Sequence, residues 1–217
     1  MGPHHRLLMA AATLAAATSP AWAVRPTSAE MARAGQWSAE RFGDAYESPT
    51  TQQCHTYGLS LWLPYHGSGL EASDPYWFRS CIFPASRVGG WDTRKKDLDH
   101  ALLRRMVAAF REVQPYLLGD YYPLTLYSLQ VNAWIAWQFD EPELEGGMVQ
   151  AFRRDECPEA SSTLKLGGLD PEASYAVKDL DTGKTRVIAG RELTEDGLRV
   201  TIADRHGAAL FVYRKAR

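Results

Sequence analysis

The strongest constraint on the fold is a series of short apolar segments in the C-terminal part of the chain, separated by turn-forming residues. Glycine and aspartate stand between them, for example in the Asp181-Thr182-Gly183 and Glu195-Asp196-Gly197 turns. Short strands at such regular spacing, with turns of this composition, favour an antiparallel β-sandwich. The predicted strands are residues 148–153, 163–166, 174–177, 186–189, 198–202 and 208–213.

A longer segment rich in valine, isoleucine and aromatic residues precedes this series. Residues 127–139 are predicted to form a strand that ends in a polar turn at 140–143. Because side chains alternate along a strand, Trp137 and Phe139 should share one face while Trp134 lies on the other. These rings are predicted to pack in the core of the sandwich or at its interface with the preceding region.

Residues 97–118 carry the clearest helical pattern. Their apolar positions recur at steps of three and four residues, which predicts a helix with one buried face. Asp97 is a candidate N-cap, and Pro115 disfavours helix at the residue before it. The stripe comprises Leu98, Leu102, Met106, Ala109, Phe110 and Val113.

Upstream of this helix, residues 56–63 and 78–83 are apolar runs that we predict to be short strands. Both are followed by loops that carry glycine, proline, aromatic and charged residues. Short strands with such loops suit the active-site end of an α/β barrel, although irregular surface loops would give the same pattern. In the second loop, Asp92 and Arg94 beside Trp91 could bind sugar hydroxyls, or could form a local surface pair.

The N-terminus has the pattern of a secretion signal. Residues 7–17 form an apolar run that is too short to span a bilayer, and Ala21-Trp22-Ala23 fits a small-x-small cleavage site. We therefore predict a signal peptide at 1–23 and a secreted or periplasmic protein; a buried N-terminal helix is the alternative. Residues 24–50 are predicted to be a linker or poorly ordered structure.

The net charge narrows the classes of partner. A formal net charge of −2 gives no electrostatic case for binding nucleic acid or an anionic membrane surface.

The cysteines bear on disulfides and metal binding. In an exported chain at most two of Cys54, Cys81 and Cys157 can pair, and Cys54–Cys81 is the favoured bridge. No cysteine and histidine cluster has the spacing of metal ligands, so neither a metal nor another cofactor is predicted.

The order of several motifs resembles the C-terminal part of melibiase, or α-galactosidase-type, glycoside hydrolases. The resemblance covers residues 44–217, where QCHTYG resembles the last barrel strands and GDYYPL the end of the final barrel helix. The motifs are QCHTYG at 53–58, GDYYPL at 119–124, GMVQAFRR at 147–154, LKLGGLDPEASY at 164–175, DTG at 181–183, GREL at 190–193 and GL at 197–198.

This resemblance implies an α+β chain made of two parts. Residues 51–122 would be the incomplete end of a (β/α)8 barrel, and residues 123–217 an antiparallel β-sandwich. The implied activity is retaining hydrolysis of a terminal α-linked galactose or a related sugar, which requires two carboxylates. No Lys-x-Asp motif of the kind that carries the family's nucleophile occurs on a predicted strand.

Candidate site residues follow from the same resemblance. Asp44 stands where the acid/base aspartate would fall, although it could instead be a solvated loop residue. The predicted substrate contacts are Tyr65, His66, Trp91, Asp92 and Arg94.

Two functions remain open from the sequence. The first is a truncated glycoside hydrolase-like protein that lacks its nucleophile, and the second is a secreted, non-catalytic carbohydrate-binding or interaction module. The expected partner is a carbohydrate, namely a terminal α-galactoside or a related sugar. Self-association through the unpaired barrel portion is a further expectation, because open strand edges and apolar faces promote it.

Overall fold

The computed structural model describes residues 39–40, 48–67, 69–70, 74–88 and 94–216. The predicted signal peptide at 1–23 lies outside them. The helices are α1 Pro49–Leu59, α2 Pro75–Ser80 and α3 His100–Val113, and the strands are β1 Ala39–Glu40, β2 His66–Gly67, β3 Gly69–Leu70, β4 Arg87–Val88, β5 Asp120–Pro123, β6 Trp134–Glu141, β7 Gly146–Arg153, β8 Ser161–Leu164, β9 Ser174–Asp179, β10 Thr185–Ala189, β11 Leu198–Thr201 and β12 Gly207–Lys215.

Two antiparallel sheets form the C-terminal part of the molecule. The larger has six strands in the order β10-β9-β12-β7-β6-β5, and the smaller pairs β11 with β8. All strand pairs in both sheets are antiparallel. This arrangement confirms a mainly antiparallel architecture consistent with the predicted β-sandwich.

The N-terminal part contains two short parallel pairs. β1 pairs with β2, and α1 lies between them in sequence; β3 pairs with β4, and α2 lies between them. A parallel pair linked through a helix is the βαβ unit, from which barrels and open α/β sheets are both built. These short pairs do not by themselves show a barrel fragment, which stays a prediction.

The six-stranded sheet is covered on both faces, so the described residues form three layers. Helices α2 and α3 pack on one face around Trp137, Phe139 and Phe152. The β8–β11 sheet packs on the other face around Val149 and Phe211. Trp137 and Phe139 therefore share a face, while Trp134 packs against the opposite core, as alternation along the strand predicted. None of the helices in the described ranges has the length and apolar character of a membrane span.

The prediction of strands at 56–63 and 78–83 is wrong, because the first half of each run lies in a helix, α1 or α2, and the described residues that follow form turns. Each helix begins with a capping residue followed by proline. Ser48 Oγ accepts a hydrogen bond from Thr51 N, and Asp74 Oδ1 accepts one from Trp77 N. A cap followed by proline is a start signal for a helix, and here it outweighs the β-like composition of the runs.

The long helix is confirmed with shifted ends. α3 begins at His100, and its N-cap is Asp99 rather than Asp97: Asp99 Oδ1 accepts hydrogen bonds from Ala101 N and Leu102 N, both at 2.9 Å. The helix ends at Val113, and a 3₁₀ turn with Pro115 follows.

The strand predicted at 127–139 starts later than expected. β6 runs from Trp134 to Glu141, so the turn follows at Pro142–Leu144 and not at 140–143. The segment before β6 is a loop with exposed apolar side chains, including Leu126 and Leu129. Its apolar residues resembled a strand in sequence, but they do not contribute to the sheet.

The cysteines also differ from the prediction. Cys54, Cys81 and Cys157 are all free and buried, so the structure has no Cys54–Cys81 bridge. Burial raises the pKa of the Cys157 thiol.

Candidate functional site

The structure describes three of the predicted site residues. Tyr65 and His66 lie together where the chain enters β2, and Arg94 lies in an exposed turn before α3. Asp44, Trp91 and Asp92 lie outside the described residues.

His66 is fully buried. Its Nε2 lies 2.9 Å from Ser60 Oγ, and its ring centroid lies 6.2 Å from that of Phe83. The His66 carbonyl accepts a hydrogen bond from Ala85 N at 3.0 Å. These contacts leave the ring no solvent-facing surface, so in this conformation it holds β2 against the segment after α2.

Gly67 makes this packing possible. A Cβ at this position would lie 2.5 Å from Phe83 Cδ2 and 2.8 Å from the Ala85 carbonyl carbon. Any other residue would therefore push β2 away from Phe83. The glycine at this position thus serves close packing.

Exposed apolar side chains lie in the loop between α1 and β2. Trp62 is 72% exposed, and Leu61 and Tyr65 are also exposed. A flat, accessible indole is a surface on which a sugar ring can stack. Tyr65 was predicted as a sugar contact, whereas Trp62 was not. Its position close to the Pro64-Tyr65 turn could have indicated that Trp62 is exposed.

A buried polar network joins the helices to the sheet. Gln53 Nε2 donates to Tyr76 Oη at 2.9 Å and to Ser80 Oγ at 3.0 Å, while Gln53 Oε1 accepts from Arg154 Nε at 3.0 Å. Burial raises the pKa of Tyr76 to about 12, because the phenolate is costly away from water.

Arg154 is the centre of this network and is fully buried. Its Nη1 donates to the carbonyls of Ser128 and Gln130 at 2.7 and 2.8 Å, and its Nη2 lies 3.4 Å from Cys54 Sγ. The guanidinium thus ties α1, β7 and the loop before β6 together through neutral acceptors. Gln53 and Arg154 stand in the motifs at 53–58 and 147–154, but one sequence does not reveal that these polar residues are buried.

The carboxylates decide what chemistry this region could perform. The Asp74 carboxylate caps α2, because its Oδ1 accepts a hydrogen bond from Trp77 N at 2.8 Å. Its position is thus explained by a structural role. Within the described ranges, no group of three or more histidine, cysteine, aspartate or glutamate residues could hold a metal ion.

A second buried network lies between the two sheets. Tyr213 Oη donates to Asp140 Oδ1 at 2.6 Å, and Gln138 Nε2 donates to Tyr213 Oη at 2.6 Å and to the Gly167 carbonyl at 2.8 Å. Burial is the largest reason why the pKa of Tyr213 lies well above its ordinary value, and the Asp140 carboxylate raises it further. This network links β6 and β12 to the loop after β8 and has no exposed reactive group.

Comparison with known proteins finds one family whose model matches the C-terminal part. Residues 134–213 match the glycosyl hydrolase family 36 C-terminal domain. No curated protein sequence matches this chain.

Solved structures match a larger portion of the chain. GH36 α-galactosidase AgaA from Geobacillus stearothermophilus superposes with a TM-score of 0.64 at 19% identity, over 78% of this chain and 25% of that one. The α-galactosidase from Lactobacillus brevis gives 0.65 at 14% identity, with the same coverages. AgaB from G. stearothermophilus gives 0.62 at 21% identity, over 80% and 25%.

The chain therefore spans about a quarter of the length of these structures. At such identities the likeness establishes the fold alone. A variant of AgaA has been solved in complex with raffinose, which is a property of that protein. Together with the family match, the predicted resemblance is confirmed: this chain resembles the C-terminal part of an α-galactosidase-type protein, and residues 134–213 match its glycosyl hydrolase family 36 C-terminal domain.

Proposed function

We propose that the residues of this chain are the C-terminal part of an exported α-galactosidase-type glycoside hydrolase, lack the nucleophile and do not turn over substrate alone. The observation that carries the proposal is the match of residues 134–213 to the family 36 C-terminal domain. A secreted or periplasmic location follows from the signal peptide predicted at 1–23.

The fold likeness supports an incomplete barrel upstream of the sandwich. Because it covers 78% of the chain, it extends well beyond residues 134–213 and includes part of the helical layer. The β1–β2 and β3–β4 pairs, each with a helix between its strands, have the connectivity of consecutive barrel strands.

Sequence positions relative to these strands support part of the predicted site. Asp44 follows the end of β1 by four residues, and Trp91 and Asp92 follow the end of β4 by three and four. Active sites of α/β barrels form at the carboxyl ends of the strands. We assign acid/base chemistry to Asp44 and sugar contacts to Trp91, Asp92 and Arg94.

Tyr65 precedes β2, and His66 is its first residue, so neither follows the carboxyl end of the strand. The two residues have different roles in the proposal. The buried His66 would support β2 from within. Tyr65 remains an accessible sugar contact, beside Trp62 in the same loop.

The first test is hydrolysis of a chromogenic α-galactoside by the purified mature chain. No turnover is expected, because retention requires two carboxylates about 5–5.5 Å apart and the sequence supplies only one candidate, Asp44, at a position that matches the family's acid/base. Turnover that disappears in Asp44→Ala but persists in the surface control Asp196→Ala would overturn the proposal of an inactive remnant. That outcome would mean that oligomerisation or another carboxylate completes the site.

The second candidate is a non-catalytic carbohydrate-binding or interaction module. The exposed apolar residues favour it, since Trp62 in one loop and Leu126 and Leu129 in another lie open to a ligand or partner. Titration with raffinose separates the two functions: saturable binding lost in Trp62→Ala, without turnover, would favour the module. Sedimentation of the same sample tests the proposed self-association.

A further inference from the structure

The helical layer covers only part of the six-stranded sheet. The face that carries Trp137 and Phe139 is packed against helices, whereas Val187 on the edge strand β10 is exposed. A groove of about 420 Å³ lies where the cover ends, between the C-terminal end of α3 and strands β9, β10 and β12.

The floor of the groove follows from the strand register. Val212 on β12 pairs with Lys178 on β9, which pairs with Thr185 on β10. Ala176 lies on the same face as Lys178 because side chains alternate along a strand. With Pro115 on the helical side, these residues give a floor of small and apolar side chains.

The walls of the groove carry an excess of positive charge. Arg111, Lys178 and Arg214 line it together with one carboxylate, Glu112. Lys178 Nζ pairs with Glu112 Oε2 at 2.7 Å, so these two opposite charges neutralise each other. The two guanidinium groups then leave the groove with a surplus of cations.

Neither arginine has a carboxylate partner among the residues that the structure describes. Arg111 forms no ion pair or hydrogen bond with a described residue, and Arg214 uses Nε to donate to Tyr116 Oη at 2.8 Å. Both terminal Nη groups of Arg214 remain available. Guanidinium groups bind carboxylates through paired charge-assisted hydrogen bonds.

We propose that this groove binds an acidic saccharide, with the sugar ring over Ala176, Val212 and Pro115 and its carboxylate held by Arg111 and Arg214. The saccharide part of this assignment rests on the proposed carbohydrate function; the anionic part rests on the unpaired arginines. The groove is lined by α3, Pro115 and strands β9, β10 and β12, and none of its lining residues belongs to the site proposed above.

The test uses isothermal titration calorimetry on the full chain with two matched ligands. One is trigalacturonate, and the other is its fully methyl-esterified form, which keeps the sugars and removes the charge. We expect trigalacturonate to bind at least tenfold more tightly than the ester. Arg111→Gln should weaken trigalacturonate binding about fivefold, as for a solvent-accessible charge contact.

Arg104→Gln, on an exposed part of the same helix outside the groove, is the matched control and should leave binding unchanged. Equal affinity for acid and ester, or equal loss in the two arginine variants, would overturn the proposal. Binding of inorganic phosphate as tight as that of trigalacturonate would reduce the groove to a general anion site and overturn the saccharide assignment.

These outcomes are separable from failure of the proposed function. Hydrolysis of the chromogenic α-galactoside is measured on the same sample and tests the proposed function. Trigalacturonate binding with Arg111 dependence, together with hydrolysis that is lost in Asp44→Ala, would support the groove while rejecting the proposed function. Equal affinity for acid and ester without hydrolysis would reject the groove alone.

Discussion

The two faces of the six-stranded sheet are packed in different ways. On β7, Met148, Gln150 and Phe152 point to the helices, whereas Val149 and Ala151 point to the β8–β11 sheet. The helical face is therefore filled by large side chains and by a polar residue, and the sheet-on-sheet face at β7 by smaller aliphatic ones.

The large and polar side chains on the helical face indicate that the helical layer is an integral part of this molecule. Gln150 Nε2 donates to the Arg79 carbonyl at 2.5 Å, and Gln150 Oε1 accepts from Trp137 Nε1 at 3.1 Å, so polar contacts lock α2 to the sheet. A bidentate ion pair between Arg79 and Asp181 adds a surface clamp. Without the helices, the sheet would expose a large aromatic face to water.

The largest effect should come from removing the central ring of the helical face. Trp137→Ala should lower the free energy of unfolding by about 4 kcal/mol, because it leaves a cavity and an unpaired Gln150 carbonyl oxygen. The matched control Trp62→Ala removes an exposed ring and should change it by less than about 0.5 kcal/mol. Urea titration of both variants measures the difference, and equal losses would mean that the helical face is not part of the main core.

Removing the buried guanidinium should have the next largest effect. Arg154→Met keeps much of the side-chain volume but removes the guanidinium that donates to Gln53 Oε1 and to the carbonyls of Ser128 and Gln130. We expect a loss of about 3 kcal/mol, since several hydrogen bonds are lost and the buried Gln53 Oε1 loses its donor. Arg104→Met, which is exposed, should be nearly neutral. A loss in Arg154→Met no greater than in Arg104→Met would show that this network contributes little to stability.

Neighbouring residues on β7 allow the two faces to be tested separately. Met148→Ala should cost about 2–3 kcal/mol and raise amide exchange first in α3, whereas Val149→Ala should cost slightly less and act first on β8 and β11. Hydrogen exchange followed by mass spectrometry resolves these segments. If both variants loosened the same segment, the proposed separation of the two cores would be wrong.

The smallest effect concerns alkaline pH. The ordinary pKa of Tyr76 is 10.0, and burial raises it to about 12 in the folded protein. As pH rises, the unfolded chain loses this proton first. The contribution of Tyr76 is therefore fully present below pH 10 and is lost as pH rises through about 12.

Tyr76→Phe should flatten the alkaline fall in the free energy of unfolding, measured by urea midpoints at several pH values. The exposed Tyr65→Phe is its control and should leave the slope as it is. Because Tyr122 also titrates at about 12, part of the slope should persist in Tyr76→Phe. An unchanged slope would show that Tyr76 ionises equally in both states.

Local signals in the sequence predicted the C-terminal strands well, since each is short, bounded by turns and set within one sheet or the other. The same signals failed for α1 and α2, where apolar composition was given more weight than the Ser48-Pro49 and Asp74-Pro75 caps. The late start of β6 was also missed, because exposed residues such as Leu126 have the same composition as strand residues.

The predictions for the candidate site rest on resemblance and on chain order. Asp44 was placed by its resemblance to a family position, and Trp91 and Asp92 by a loop after a predicted strand; all three lie outside the described residues and stay predictions. The sequence could not show that His66 is buried against Phe83, nor that Asp74 is used as a helix cap. Those roles depend on neighbours that are distant in sequence or on the exact start of a helix.

By itself, the sequence determined the antiparallel sheets, the long helix and the alternation of Trp134 and Trp137 across β6, because period and turn chemistry act over a few residues. Only the tertiary structure decided that Arg154 is buried against Gln53, 101 positions away, and that Arg111 and Arg214 border one groove. The physical reason is that burial and charge pairing depend on which segments meet in space. A charged residue has the same local pattern whether it faces water, a carbonyl or a future ligand.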